Sequence, residues 1–402
     1  MKKIFIFALM MLGTSVAFGA ESEALKAILK AKTYAEAAQL LNSSLSQLAG
    51  NEEKAKAYNK LVDLASEKFE KEILTITSNQ AAEKLGQGKV EPYDTLGFYE
   101  AAFNGLNAGL ECDKYDNQPN EKGKVKPKFR QANQPRLERL RLQLVNGGQW
   151  AAQRGNAEGV LKYWGGYVDS KAAPIFQVEG AQPDLYIGQV ANFAARYALQ
   201  AKDYERANRY VDVAMQDPEE YKDALSLKML VVEKSLKTKE DTVKFLKQVE
   251  DLYASDVTND ILFSTLSSLY GNMGKKEEAA KLIDTKLAAQ PDHKLAWALK
   301  GQNAMNEGDY DAAINAFKKG DMKNVVVLTY LGFCLNSKAA DVQSKVERDK
   351  LYRESVEYLE SARDIDPYRE QANWAYPLYQ CFYNLYGDAD ARTREIENMI
   401  SK

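Results

Sequence analysis

The chain has 402 residues, of which 28% are charged and 45% hydrophobic, so it can form buried cores and still remain soluble. This length exceeds what one core usually organises, and predicts several domains or an extended array. The formal net charge of −3 argues against general nucleic-acid binding, which needs a basic surface. Because His293 is the only histidine, the sequence argues against a Ser-His-Asp triad and against a His-based zinc site.

Residues 1–19 have the pattern of a secretory signal peptide. Two lysines precede an apolar stretch at residues 4–12, which is too short to span a bilayer as a helix. Ala17 and Gly19 then occupy the −3 and −1 positions of a small-residue cleavage site. No Cys follows the apolar stretch, so we expect no lipid attachment. We therefore expect a periplasmic or secreted protein with no transmembrane segment in the mature chain; the alternative is an uncleaved N-terminal anchor.

After the signal peptide, residues 20–111 predict an N-terminal helical region with weak repeat character. Residues 112–136 are predicted to form a basic, turn-rich loop, because Pro127 and Pro135 exclude a continuous helix. A second irregular stretch, residues 170–183, contains two prolines and a glycine and is a candidate joint between helical blocks.

The predicted basic loop and the residues just after it carry an excess of positive charge. Only Glu121 and Glu138 oppose eight basic residues: Lys122, Lys124, Lys126, Lys128, Arg130, Arg136, Arg139 and Arg141. One interpretation is contact with an anionic partner, such as an anionic polymer, a lipid headgroup or an acidic protein, through Lys122, Lys124, Lys126, Lys128 and Arg130. The other is a solvated loop with no partner.

Two adjacent windows of 34 residues, 260–293 and 294–327, share a spacing of marked residues. In the second window, offsets 4, 8, 15–17, 20, 21 and 24 hold Trp297, Gly301, Gly308-Asp309-Tyr310, Ala313, Ile314 and Phe317. In the first, offsets 4, 7, 11, 15, 20, 24 and 32 hold Phe263, Leu266, Tyr270, Gly274, Ala279, Ile283 and Pro291. This spacing closely resembles that of tetratricopeptide repeats (TPR), although the second window lacks the closing proline. The resemblance implies an all-α, right-handed TPR superhelix (an α-solenoid) of helix-turn-helix repeats.

The spacing has physical reasons. Offsets 4, 7 and 11 lie on one face of a first helix, and offsets 20, 24 and 27 on one face of a second helix, because 3.6 residues make a turn. Small residues at offsets 8 and 20 let the two backbones approach closely. Glycine at offset 15 provides the positive φ of the turn between the helices. One such unit cannot cover both of its apolar faces, so the units must stack.

Weaker copies flank the two clear repeats. They extend a predicted repeat array over residues 137–402, and Tyr34, Ala37 and Leu41 echo the pattern near the start of the degenerate N-terminal region. No segment alternates with the period of a strand, so we predict essentially no sheet.

The TPR resemblance also indicates candidate binding residues, because ligands of this family commonly lie against the first helices at offsets 2, 5, 9, 12 and 13. The uncharged polar and apolar residues at these offsets suit an extended peptide or a helix. The candidate partner-binding residues are Gln189, Asn192, Arg196, Gln200, Ser264, Ser268, Asn272, Gln302, Met305 and Asn306. Asn192 with Arg196 is similar to part of the carboxylate clamp of chaperone-binding TPR domains, but neighbouring repeats lack the other basic residues that a clamp needs.

No motif in the sequence indicates catalysis. There is no P-loop, no dinucleotide-binding glycine motif and no CxxC, and Glu111, Asp113 and Asp116 lack the spacing of a calcium loop. We therefore predict no enzyme activity, no cofactor and no metal. The three cysteines are expected to be buried apolar residues, with one disulfide plus one free thiol as the alternative.

The leading hypothesis is an exported TPR adaptor that binds a protein or peptide in the cell envelope. The alternative is a glycan- or nutrient-binding protein at the outer envelope. In that case the TPR helices would frame a site built by the loops at 112–136 and 170–183.

Overall fold

The computed structural model describes residues 21–86, 88–119, 123–178, 180 and 183–401. The predicted signal peptide at 1–19 and Lys122 lie outside these ranges. All regular structure within them is helical, and the chain divides into two compact units, Met1–Ser235 and Leu236–Lys402.

Unit 1 contains nine of the described α-helices. They are α1 (Glu23–Lys30), α2 (Tyr34–Ser44), α3 (Gly50–Leu85), α4 (Thr95–Asp116), α5 (Arg130–Ala152), α6 (Ala157–Asp169), α7 (Ile187–Gln200), α8 (Tyr204–Ala214) and α9 (Tyr221–Ser235). Short 3-10 turns occur at Leu45–Gln47, Ser170–Ala172 and Pro174–Phe176. One continuous hydrophobic core runs from α1 to α9.

Unit 2 contains nine further described α-helices. They are α10 (Lys239–Ser255), α11 (Asp260–Asn272), α12 (Lys276–Ala289), α13 (Lys294–Glu307), α14 (Tyr310–Phe317), α15 (Val325–Asp341), α16 (Lys345–Ile365), α17 (Ala375–Tyr386) and α18 (Ala391–Ile400). The core is divided into clusters along the chain, each shared by consecutive helices. The predicted array 137–402 is thus distributed over both units.

Consecutive helices pack as hairpins, and their turns have the predicted chemistry. Gly155, Gly274 and Gly308, all at offset 15, have φ values of 65°, 71° and 80°. At offset 16, the Asn156 and Asp309 side chains accept hydrogen bonds from the backbone N–H groups of Gly159 and Ala312 and so cap the second helix. These hairpins confirm the predicted all-α array of TPR-type repeats.

The close approach of the two helices in a hairpin depends on glycine at offset 8. A Cβ atom added to Gly301 would lie 2.6 Å from the Phe317 ring, and one added to Gly148 would lie 2.2 Å from the Trp164 ring. Phe317 and Trp164 both occupy offset 24. A glycine at offset 8 thus allows the close approach predicted for that position in one hairpin of each unit, where it faces a large side chain of the second helix.

The predicted loop 112–136 is wrong at both ends. Helix α4 continues to Asp116, and helix α5 begins at Arg130 and includes Pro135. The Asp116 carboxylate explains the early start of α5, since it accepts hydrogen bonds from the backbone N–H groups of Lys128 and Phe129 at 2.8 and 2.7 Å. Asp116, which the sequence analysis placed in the predicted loop, thus caps the start of α5 although it does not belong to that helix.

Candidate interaction grooves

A cavity on unit 2 lies between α13, α15 and the chain that leads into α17. Its volume is about 460 Å³, and we call it the unit-2 groove. It is lined by Met305, Val326, Thr329, Tyr330, Phe333, Gln371, Ala372, Asn373, Tyr376 and Pro377. Phe333 and Tyr376 remain 41% and 54% exposed, so large apolar surface is available to a partner.

Thr329 is, with Pro377, one of the two buried residues that line the unit-2 groove. Its residue surface is only 6% exposed, and its Oγ1 has no hydrogen-bond partner. Threonine in a helix can bond to a backbone carbonyl one turn earlier, but this hydroxyl does not. A buried polar atom without a partner is uncommon in folded proteins.

The repeat register accounts for three of the residues that line the unit-2 groove. With Leu328 and Gly332 at offsets 4 and 8, Val326, Thr329 and Phe333 occupy offsets 2, 5 and 9 of α15. These are the offsets used to select binding residues on α7, α11 and α13, but that selection stopped before α15. The repeat register given by Leu328 and Gly332 is sufficient to identify these three lining residues from the sequence.

Of the predicted partner-binding residues on α11 and α13, the unit-2 groove contains Met305 alone. Ser264 is half-buried, and its hydroxyl donates a hydrogen bond to the Ile261 carbonyl at 3.0 Å. Gln302 is half-buried as well, whereas the remaining predicted residues are exposed: Ser268, Asn272 and Asn306.

The predicted residues on α7 are not brought together as a clamp. Asn192 is only 4% exposed, and its Nδ2 donates a hydrogen bond to Glu220 Oε2 at 2.7 Å. Arg196 is exposed, as are Gln189 and Gln200. Because a clamp needs both side chains free to reach one ligand carboxylate, the hydrogen bond of Asn192 to Glu220 adds to the sequence argument against a clamp.

A second cavity, of about 900 Å³, lies on unit 1 beside α5 and the irregular stretch after α6. We call it the unit-1 cavity. Its lining combines apolar, amide and charged side chains: Gln134, Glu138, Arg141, Leu142, Tyr167, Lys171, Phe176, Gln177, Val178, Gly180, Pro183, Asp184, Leu185 and Tyr186.

Arg141 organises one wall of the unit-1 cavity. Its guanidinium lies 2.7 Å from Asp184 Oδ2, donates to the Tyr167 carbonyl at 2.9 Å and stacks over the Tyr167 ring at 3.9 Å. The Tyr167 hydroxyl donates to Asp184 in turn. Burial, and then the hydrogen bond to Asp184, raises the pKa of Tyr167 far above its ordinary value. The phenol therefore stays protonated and holds Asp184 in place.

The basic segment is largely neutralised within unit 1. Lys128 pairs with Glu52, and Arg130 Nε lies 3.4 Å from Asp113. Beyond it, Arg136 and Arg139 pair with acidic residues of α3. Lys124 and Lys126 lie in the exposed loop before α5. These contacts account for Lys128 and Arg130 without an anionic partner.

All three cysteines are fully buried and free, as the favoured interpretation predicted. Burial raises the pKa of Cys112 and of Cys334 to about 12, and that of Cys381 to about 11. Such thiols are not nucleophiles at neutral pH. Within the described residues there is also no group of three or more His, Cys, Asp or Glu side chains that could hold a metal ion.

None of the helices in the described ranges combines the length and apolarity needed to cross a membrane.

Comparison with known proteins gives matches among solved structures alone. No protein-family model matches the chain, and no curated protein matches it. MamA from Desulfovibrio magneticus RS-1 is 13% identical, with 47% of this chain and 99% of that chain covered and a TM-score of 0.29. A TPR repeats protein from Bacteroides fragilis is 14% identical, with 64% and 98% covered and a TM-score of 0.25. The human IFIT1 dimer with m7Gppp-AAAA is 14% identical, with 76% and 65% covered and a TM-score of 0.40.

Similarities at such low TM-scores do not indicate a ligand for this chain. The repeated hairpins, with their turn glycines and their contacts between offsets 8 and 24, give the described residues the helical fold of TPR-type repeats.

Proposed function

We propose that this protein is an exported TPR scaffold of the cell envelope that binds a protein partner in the unit-2 groove and performs no catalysis. The observation that carries the proposal is the position of the groove. It lies at the first-helix offsets where TPR ligands commonly bind, and it exposes Phe333 and Tyr376 there. Exposed aromatic residues in a concavity are typical anchors of protein interfaces.

Export rests on the sequence of residues 1–19, with its two lysines, its apolar stretch and its small-residue cleavage site. The exported protein is expected to begin at Ala20. Mass spectrometry of the N-terminal peptide from envelope fractions tests this; a peptide that still contains residues 1–19 contradicts cleavage.

The partner is tested by cross-linking and capture from envelope fractions with a matched pair of variants. Tyr376→Lys places a charge in the unit-2 groove, and Tyr368→Lys places the same charge on a tyrosine of the same unit that is 82% exposed and outside the groove. The expected result is a protein captured by the wild type and by Tyr368→Lys but lost with Tyr376→Lys. Equal capture by both variants argues against this groove.

Glycan binding in the unit-1 cavity is a second candidate function. The residues that the sequence analysis assigned to a possible glycan-binding loop, 170–183, contribute Phe176 and Gln177 to the lining, alongside Gln134 and Tyr186. Aromatic rings and planar amides suit sugar rings and their hydroxyl groups. Soluble oligosaccharides should then raise the melting temperature of the wild type and not that of Tyr186→Ala. No shift with any oligosaccharide contradicts this candidate.

A further inference from the structure

Resting on the proposed function, we propose that the unit-2 groove selects an extended, uncharged segment of its partner. A large apolar side chain of that segment inserts between Met305, Phe333 and Tyr376. A backbone or side-chain polar group of the same segment hydrogen-bonds with the hydroxyl of Thr329.

The first argument is the charge of the lining. None of the residues that line the unit-2 groove is Lys, Arg, Asp or Glu, in a chain in which 28% of residues are charged. A smaller cavity of the same unit contains Asp260, Lys294 and Asp321, so an uncharged lining is not general here. A charged side chain entering the unit-2 groove would lose hydration and find no counter-ion, which is unfavourable.

The absence of charge continues beyond the cavity. The binding positions predicted on α11 and α13 also hold no Lys, Arg, Asp or Glu residue. These positions carry serine, glutamine, asparagine and methionine side chains instead.

The second argument is Thr329. Its Oγ1 is buried and has no hydrogen-bond partner, and Thr329 is one of the residues that line the unit-2 groove. A hydroxyl both donates and accepts a hydrogen bond, so it can pair with a peptide N–H or a carbonyl. A ligand that supplies this partner removes an existing penalty in the free protein, and the contact is therefore more favourable than an exposed one.

The third argument concerns the backbone of the partner. Gln371 and Asn373 border the unit-2 groove, and both are exposed. A primary amide offers a donor and an acceptor together, which matches the free N–H and C=O groups of an extended segment. A helix satisfies these groups internally and would leave Thr329 and the amides without partners. The lining thus favours an extended segment over a helix.

The test uses a library of short random peptides displayed on phage and selected on the purified protein. The best binders are then synthesised, and their affinities are measured by calorimetry. We expect binders with an aromatic, leucine or methionine residue inside a stretch that contains no charged residue. Charged stretches in the binders would overturn the inference and leave the proposed scaffold function standing. No enriched peptide of any composition would overturn the proposed function as well.

Two variants locate the binding. Phe333→Glu should weaken it by roughly a hundredfold or more. Val346→Glu is the control, since Val346 is 83% exposed on α16 of the same unit and lies outside the groove; it should not change the affinity. Unchanged affinity in Phe333→Glu, or an equal loss in both glutamate variants, would contradict insertion in this groove.

Thr329→Val separates binding from folding. It replaces the unpaired hydroxyl by a methyl group of similar size, so the melting temperature of the free protein should rise. The same change should weaken peptide binding by roughly tenfold, because the contact with the peptide loses its hydrogen bond. A lower melting temperature with unchanged affinity would mean that the hydroxyl serves the fold, and would overturn its role in recognition.

Discussion

At the scale of single residues, the most informative departure from the repeat pattern is Lys202. It occupies offset 15 of its hairpin, the position of Gly155, Gly274 and Gly308, and it has the same left-handed backbone with φ of 59°. An L-residue in this conformation brings its Cβ close to the following carbonyl, whereas glycine has no such contact. The TPR hairpin thus imposes a left-handed backbone at this position even though lysine does not favour that conformation.

Lys202→Gly should therefore stabilise unit 1. We expect the free energy of unfolding to rise by about 0.5–1 kcal/mol, as relief of the left-handed strain outweighs the greater freedom of glycine in the unfolded chain. Lys202→Ala is the control, because it removes the long side chain and keeps the Cβ. Chemical denaturation of the three proteins measures the effect; an equal gain in both variants would assign it to the lysine side chain.

At the scale of helices, the second helix begins with the same kind of cap in three of the hairpins. Asn156, Asp203 and Asp309 each accept a hydrogen bond from a backbone N–H of the first turn. Lys275 occupies the same position before α12, with a similar backbone, but makes no such bond. Its side chain instead pairs with Glu278 at 3.0 Å on the surface, where an ion pair contributes little.

Lys275→Asn should supply the missing cap of α12. The expected gain in the free energy of unfolding is about 1 kcal/mol, reduced slightly by loss of the surface ion pair. Lys275→Ala loses the ion pair without gaining a cap, and should leave stability unchanged or slightly lower. Thermal unfolding followed by circular dichroism compares them, and an asparagine variant no more stable than the alanine variant would contradict the capping argument.

Some helices of this protein could be predicted from the sequence, and the bounds of others could not. Offsets 8, 15, 20 and 24 have steric requirements that few residue types meet, so the hairpins of 260–327 were predictable. The bounds of α4 and α5 were not, because Pro135 was taken as a helix breaker and the long-range cap by Asp116 leaves no local pattern. For binding residues, the offset gives the face of a helix but not the burial of each side chain, which is why Asn192 is buried whereas Met305 lines the unit-2 groove.

At the scale of the whole molecule, carboxylates that accept backbone hydrogen bonds anchor both units. Glu53 accepts from Ser22 N at 2.7 Å and from Ala49 N at 2.8 Å, and so ties the start of the first hairpin to α3. In unit 2, Asp366 accepts from the N–H groups of Gln371 and Ala372 at 2.8 and 3.2 Å. Burial opposes the charged form of both groups, but hydrogen bonds outweigh it and lower the pKa of each below its ordinary value. For Glu53 these bonds come from the Ser22 hydroxyl and from the backbone of Ser22 and Ala49, and for Asp366 they come from backbone N–H groups.

Acid should therefore destabilise the protein. A carboxyl group whose folded pKa is lowered contributes stability that is fully present above its unfolded pKa and is lost as the pH falls through the folded pKa. The melting temperature should stay level above about pH 5 and fall below about pH 4. Asp113 and Glu360 have the opposite effect on the pH dependence of stability. Burial raises the pKa of each, so that protonation of these two groups at low pH favours the folded state.

Asp366→Asn isolates one contribution to this acid sensitivity. The variant should melt at a lower temperature than the wild type at pH 7, because an amide oxygen is a weaker acceptor than a carboxylate. The difference should narrow as the pH falls through the lowered pKa of Asp366, because the wild-type carboxylate then becomes protonated. A difference that does not depend on pH would assign the loss to packing.

The buried thiols described above have a practical consequence for following how this array opens. Alkylating reagents cannot reach a cysteine with no exposed surface, so each thiol can react only after its own surroundings have opened. Cys112 reports from α4 in unit 1, whereas Cys334 and Cys381 report from α15 and α17, the helices that flank the unit-2 groove. The three native cysteines can therefore serve as probes of local opening. Peptide mapping after a pulse of alkylating reagent measures the rate at which the surroundings of each cysteine open, without any engineered label.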